Sequence, residues 1–197
     1  DNIYDEIVVE RDNIVVDGAG YTVQGTGTGK GIYLLERKNV TITNVEVKAF
    51  REGINLWNSS NNNISINIIT NGYFGILLGG SSNNSISGNN LRLSTQPTPD
   101  DVACGITILY SSNYNTISGN NIENTFLGIQ LQSSSNNNSV SGNNARNNYY
   151  GIDVSVSSNY NSVSGNTVTS GKGGIDIERC SNNIVSGNNI TNNGCGI

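Results

Sequence analysis

The dipeptide Gly-Ile recurs along the chain at Gly31, Gly53, Gly75, Gly105, Gly128, Gly151, Gly174 and Gly196, in steps of 22, 22, 30, 23, 23, 23 and 22 residues. Two further markers keep the same phase. Ser-Gly-Asn begins at Ser87, Ser118, Ser141, Ser164 and Ser186, and a polar Ser-Ser-Asn turn lies near Ser59, Ser81, Ser111, Ser134 and Ser157. A fixed period of about 20–25 residues specifies a solenoid, because no single repeat can bury its own apolar face.

Within each repeat the apolar period is two. Leu34, Leu56, Leu78, Ile108, Leu131, Val154 and Ile177 alternate with Tyr33, Asn55, Leu77, Thr107, Gln130, Asp153 and Asp176, the pattern of a strand with one face in and one face out. A second short strand turns Ile86, Ile117, Val140, Val163 and Val185 inward, and a third, after the Asn-Asn corner, carries Leu91, Ile122, Val168 and Ile190. No helical period survives, and the Leu-x-x-Leu-x-Leu spacing of a leucine-rich horseshoe is missing. The expected fold is all-β: a single-stranded right-handed parallel β-helix of about eight coils over residues 1–197, with coils stacked about 4.8 Å apart. The 36 asparagines then belong at corners, where a left-handed backbone is needed, and in side-chain ladders between coils. Two columns are expected to form such ladders: Asn89, Asn120, Asn143, Asn166 and Asn188, and Asn83, Asn113, Asn136, Asn159 and Asn182. The 30-residue step holds an insertion at residues 94–101 (STQPTPDD), expected to be a corner loop.

Residues 13–20 (NIVVDGAG), Gly31-Ile32 and the repeated Asn-x-Ile units resemble the parallel β-helix repeats of the NosD-like and pectin-lyase-like superfamily, common in surface and secreted proteins of archaea and bacteria. The resemblance implies the fold and an extracellular or cell-surface location. It leaves the function open, since lyases, hydrolases, epimerases, binding proteins and structural proteins share these repeats. The copper delivery linked with NosD proteins does not carry over, because the chain has no His and no Met.

Composition removes other chemistries. Without His there is no Ser-His-Asp or Cys-His catalysis. A net charge of −5 with 10 Lys and Arg argues against nucleic acid, and no apolar run approaches the ~18 residues of a membrane span. No cofactor and no metal site are expected. The chain opens at Asp1 without Met, as a processed or trimmed form would.

Polysaccharide-cleaving β-helix proteins are expected to use clustered carboxylates, or an Arg or Lys base with acidic calcium ligands, on one outer face. The best candidate column is Gln130, Asp153 and Asp176, with Glu178 two residues on, and equivalent positions in adjacent coils stand about 4.8 Å apart. The competing reading is two surface carboxylates that happen to stack. Arg92, Glu123 and Arg146 should form an alternating surface ladder. Trp57, Tyr33, Tyr110, Tyr114 and Tyr160 are sugar-stacking or packing candidates, and residues 25–31 (GTGTGKG) read as a corner loop rather than a phosphate loop. Six sequons, at Asn39, Asn58, Asn63, Asn83, Asn137 and Asn189, are N-glycosylation candidates.

Cys104 and Cys195 share a column four coils apart, about 19 Å, too far for a disulfide, and Cys180 replaces the first Ser of a Ser-Ser-Asn turn. An odd count of three suggests interchain disulfides through Cys104, Cys180 or Cys195. Ile7 aligns with Ile32 and the chain closes at Gly196-Ile197, so the two ends are in phase. Either copies stack head to tail into filaments, hoops or a sheath, or the sequence is a fragment. The leading expectation from sequence is therefore a self-assembling structural surface protein with itself as partner. The alternative is a carbohydrate-binding or polysaccharide-cleaving module.

Overall fold

The computed structural model describes residues 2–93 and 103–197. These residues form three eight-stranded sheets and no helix, so none is long and apolar enough to cross a membrane. In each sheet the strand of one coil pairs, in parallel, with its counterparts in the coils before and after. One coil reads Glu52–Trp57, Asn63–Ser65, Ile68–Thr70; the next reads Phe74–Gly79, Ser85–Ser87, Asn90–Arg92. The three-strand coil and the inward columns are as the sequence indicates. Ile32, Ile54, Ile76, Ile106, Ile129 and Ile152 stack in one buried column, and Leu34, Leu56, Leu78, Ile108, Leu131 and Val154 in the next. Each such side chain contributes about 2 kcal/mol by leaving water. Ile7 pairs with Ile32 as expected.

The Gly of the Gly-Ile marker is demanded by close approach. At Gly53 an added Cβ would lie 2.6 Å from the Gly75 carbonyl oxygen and 2.6 Å from Ile69 Cγ2. The same crowding recurs at Gly75 against Gly105 O and Leu91, and at Gly151 against Gly174 O and Val168. The long strand thus turns into the coil against the third sheet, where only hydrogen fits.

The difference between 22- and 23-residue coils sits at one corner. After the long strand the shorter coils use a single left-handed residue, Asn58, Gly80 or Arg179. The longer ones use two, Tyr110-Ser111, Ser133-Ser134 and Val156-Ser157. The inserted residues 94–101 fall outside the described residues. Asn90–Arg92 and Cys104–Leu109 on either side of them keep register with both neighbouring coils.

Asparagine has two separate jobs. In doublets such as Asn83-Asn84 and Asn137-Asn138 the first residue is left-handed (φ 59° and 56°) and the second is buried. The buried ones form ladders. Asn89, Asn120, Asn143, Asn166 and Asn188 hydrogen-bond amide to amide at 2.9–3.0 Å, as expected. The second internal ladder is Asn62, Asn84, Asn115, Asn138 and Asn161, one residue later than the expected column at Asn84 and two later at Asn115, Asn138 and Asn161. The expected column is split. Asn83 and Asn182 are left-handed corner residues, while Asn113, Asn136 and Asn159 line a separate, half-buried ladder in which each Oδ1 accepts from the next coil's backbone N–H at 2.6 Å. The error arises because adjacent asparagines are chemically identical and only backbone conformation separates their roles.

Candidate functional site

The long strands build the face on which function is argued. Their first, fourth and sixth residues point outward. Asn55 donates to Glu52 across three residues, and Tyr33 meets Lys30, whose Nζ lies 4.2 Å from the ring centroid. The stacked coils therefore set three columns side by side.

At the C-terminal half of this face the expected carboxylate column forms. Gln130, Asp153 and Asp176 are register partners, as are Ser155 and Glu178. Asp153 is half-buried and accepts from Ser155 Oγ at 2.9 Å; Asp176 and Glu178 are exposed. Burial pushes the Asp153 carboxyl above the usual carboxylate value; the Asp176 and Glu178 charges add to that push, while hydrogen bonds from Ser155 and Gln130 oppose it. Arg179 Nε lies 3.0 Å from Glu178 Oε1. Among the described residues no group of three or more His, Cys, Asp or Glu is placed to hold a metal ion.

A raised carboxyl pKa costs stability. The penalty is absent below the unfolded value, grows as pH rises through that value, and is complete above the folded value. Asp153→Asn is expected to raise stability at neutral pH, with the gain lost by about pH 3, below the unfolded value. Denaturant titrations at the two pH values measure it.

Beside the carboxylates lies an aromatic cluster that sequence reasoning missed. Phe126 and Tyr149 stack at 4.8 Å between centroids, and Tyr150 meets them edge-on at 6.0 and 5.1 Å. Lys172 donates to the Tyr149 hydroxyl at 2.7 Å and lies 4.9 Å from its ring centroid. The Tyr150 ring covers the spot where a side chain at Gly173 would be, with Cε1 2.7 Å from the ideal Cβ. The available signal was the aromatic residues just before the Gly-Ile marker in two successive coils, Phe126 and then Tyr149-Tyr150.

The outward column is not uniformly open. In its middle Leu77 and Thr107 are buried, together with Cys104 and Leu127 beside them, and at the N-terminal end Asn55 is buried too. Among the described residues the buried Asn55 Oδ1 has no hydrogen-bond partner. Trp57 and Tyr110 meet edge-on at 5.7 Å and are both exposed, as are Tyr114 and Tyr160; Tyr33 is half-buried.

The other candidates are placed as follows. Glu123 pairs with Arg92 at 3.6 Å and with Arg146 at 2.9 Å, forming the expected ladder. Gly27 and Gly29 are left-handed within residues 25–31, as a corner loop requires. Asn39, Asn58, Asn63, Asn83, Asn137 and Asn189 are all exposed. Cys104 and Cys195 share a column through Leu127, Tyr150 and Gly173, and no disulfide joins the three cysteines. Cys180 stands where Ser59 and Ser81, the first Ser of their turns, stand: its thiol points to Val154 O at 3.3 Å as the Ser59 and Ser81 hydroxyls point to Leu34 O and Leu56 O. Burial pushes the Cys104 thiol up to about 11 and raises Cys180 as well. A thiol-reactive disulfide reagent at pH 8 is expected to titrate Cys195 fast and Cys180 slowly, and to reach Cys104 only after unfolding.

Three solved structures have the same fold. A mutant of a periplasmic alginate epimerase matches with TM-score 0.66 at 20% identity, over 75% of this chain and 37% of its own. A tailspike protein mutant of E. coli bacteriophage HK620, in complex with a pentasaccharide, matches with TM-score 0.71 at 16% identity, over 90% of this chain and 38% of its own. An alginate lyase from Paenibacillus sp. matches with TM-score 0.53 at 16% identity, over 86% of this chain and 80% of its own. The chain thus spans under two-fifths of the epimerase and the tailspike. No curated protein sequence matches it. The sequence pattern that defines right-handed β-helix regions matches residues 7–168. On that match and on its three parallel sheets, the chain belongs to the right-handed β-helix family.

Proposed function

We propose that this chain is a carbohydrate-binding β-helix module of an extracellular or cell-surface protein, and that the acidic end of the long-strand face takes a neutral polysaccharide. The observation that carries the reading is the in-register Asp153–Asp176 pair lying beside the Phe126–Tyr149–Tyr150 cluster. Ionised carboxylates accept hydrogen bonds from sugar hydroxyls, and aromatic faces pack against the C–H faces of sugar rings. The pentasaccharide held by the tailspike and the alginate chemistry of the other two relatives support a carbohydrate ligand. Their periplasmic and phage settings support an extracellular or surface location. Charge narrows the class. Three carboxylates on a chain of net charge −5 repel a polyuronate, so the ligand here is uncharged.

Cleavage at the same site would set half-buried Asp153, whose carboxyl burial pushes up, as general acid and exposed Asp176, one coil away, as nucleophile or base. The test is calorimetric titration with soluble neutral glucans, mannans and xylans against a polyuronate control, with reducing-end release assayed in parallel. Binding of a neutral glycan, weakened at least tenfold in Tyr149→Ala and Asp176→Asn, is the expected result. Preference for the polyuronate, or no binding by a folded protein, contradicts the reading.

Self-assembly has one observation in its favour: Cys195 is an exposed thiol able to reach a second copy. Non-reducing gels of the native protein test it. A dimer that Cys195→Ser abolishes supports cross-linking, and monomer alone ends it.

A further inference from the structure

We infer that Trp57 and Tyr110 form a binding site for a quaternary ammonium group, with Asn58 and Glu36 as its polar partners. The site lies at the corner where the long strands end. It is separate from the acidic end of the face and does not depend on the carbohydrate reading above.

The site begins with a gap in the side chains. Trp57 closes the strand Glu52–Trp57, and its register partner in the next coil is Gly79, followed by Gly80. A Cβ at Gly79 would lie 3.1 Å from Trp57 Cη2 and closer still to Cε3 and Cζ3, so the indole lies on bare backbone. Gly79 pairs in turn with Leu109, and Tyr110 is the left-handed corner residue that follows. The Trp57 and Tyr110 backbones therefore stand two coils apart, about 10 Å. Their rings still meet across the two glycines, with centroids 5.7 Å apart and planes at 60°. Both stay open to solvent, at 36% and 56% exposure.

Aromatic faces carry negative potential, and Trp attracts a cation most strongly. This protein already uses that attraction elsewhere. Lys30 Nζ lies 4.2 Å from the Tyr33 ring centroid, and Lys172 Nζ lies 4.9 Å from that of Tyr149. Among the described residues no Lys or Arg stands over Trp57 or Tyr110. Arg37, in the preceding coil, is held by Asp12 at 3.6 Å and by the carbonyl oxygens of Leu35 and Glu10. The strongest cation-attracting ring is thus left for a cation from outside.

Polar groups of the right sign flank the rings. A Cβ at Gly80 would lie 2.5 Å from Asn58 Oδ1, so this amide oxygen covers the coil that separates Trp57 from Tyr110. Glu36 stands at the matching corner one coil earlier, and its N–H donates to Trp57 O at 2.9 Å. Its side chain is exposed and takes no part in the ion pairs among the described residues. A carboxylate there attracts a cation and repels an anion. Leu35, the register partner of Trp57, is exposed and offers apolar contact to methyl groups. A methylated ammonium matches this mixture. A bare ammonium is too strongly hydrated to exchange water for it. The ligand chemistry is that of the trimethylammonium group, in free choline or in a choline headgroup on a lipid.

Trp57 is the single tryptophan of the chain, so its fluorescence reports the site directly. Protein made without N-glycans, leaving Asn58 unmodified, is titrated with choline, with ammonium chloride, and with the uncharged isostere of choline that has carbon in place of nitrogen. Choline is expected to give a saturable change with a dissociation constant on the order of 1 mM. Ammonium chloride at equal ionic strength should give none, and the isostere should bind at least about fivefold more weakly. Tyr110→Asn keeps a residue suited to the left-handed corner (φ 55°), and should weaken choline at least about fivefold with circular dichroism unchanged. Glu36→Gln should weaken it about twofold and flatten its salt dependence. Phosphatidylcholine vesicles in a parallel titration separate the sources: a response to vesicles and choline assigns a lipid headgroup, and a response to choline alone a soluble ligand. No saturable response to choline, an isostere that binds as tightly, or a response unchanged in Tyr110→Asn overturns the inference.

Discussion

Gly53→Ala is expected to destabilise the protein by about 3 kcal/mol or more, out of proportion to the one methyl group it adds. The new Cβ would sit 2.6 Å from the carbonyl oxygen of Gly75 in the next coil. That carbonyl belongs to a backbone stacked at about 4.8 Å and held on both sides, so it has nowhere to go. The second obstacle, Ile69 Cγ2 at 2.6 Å, is a core side chain packed on neighbours of its own. Gly142→Ala is the control. Gly142 has φ +64° and nothing within 4 Å of its ideal Cβ, so alanine there meets only backbone strain of about 1 kcal/mol. Denaturant midpoints of the two variants should differ by at least twofold in their stability loss. Equal losses would mean that close approach is not why glycine stands before isoleucine in these coils.

Asn120→Asp is the other large effect. The Asn120 side-chain amide donates to Ile86 O at 2.9 Å and to Asn143 Oδ1 at 2.9 Å, while its Oδ1 accepts from both the backbone and the side chain of Asn89 at 3.0 Å. An aspartate loses the donors and turns a buried carboxylate oxygen toward the Ile86 carbonyl. Breaking a buried, fully paired polar site in this way costs about 3–5 kcal/mol. The new carboxyl would have its pKa raised by burial, so the penalty is complete above that value and shrinks as the pH falls through it. Stability measured from neutral to acid pH should therefore recover part of the loss on acidification. Asn83→Asp, at an exposed left-handed corner, is expected to stay within about 0.5 kcal/mol of wild type. The same substitution at a ladder position and at a corner position then separates the two roles of asparagine.

That separation marks the limit of what the sequence makes legible. Phase was legible because each coil sets its register one-for-one through Gly-Ile: once Ile32, Ile54 and Ile76 align, every inward column follows, and so does the Asp153–Asp176 pair. Which asparagine of a doublet turns inward was not, since the distinction lies in φ and not in residue type. The aromatic cluster escaped because it crosses two columns, with Phe126 and Tyr149 in one and Tyr150 beside them. Burial of Leu77 and Thr107 was also hidden, because an outward position in a strand pattern carries no information about what lies over it.

Backbone hydrogen exchange, with and without a saturating neutral oligosaccharide, tests the central claim most directly. It reports where the ligand sits whether or not the bond is cleaved. The account predicts added protection in Tyr150–Ser155 and Gly173–Glu178 and at the corner carrying Phe126 and Tyr149, with the Ser85–Ser87 and Ser139–Ser141 strands unchanged. Protection confined to those serine strands, or to the Arg92–Glu123–Arg146 ladder, would put the glycan on another face and contradict it.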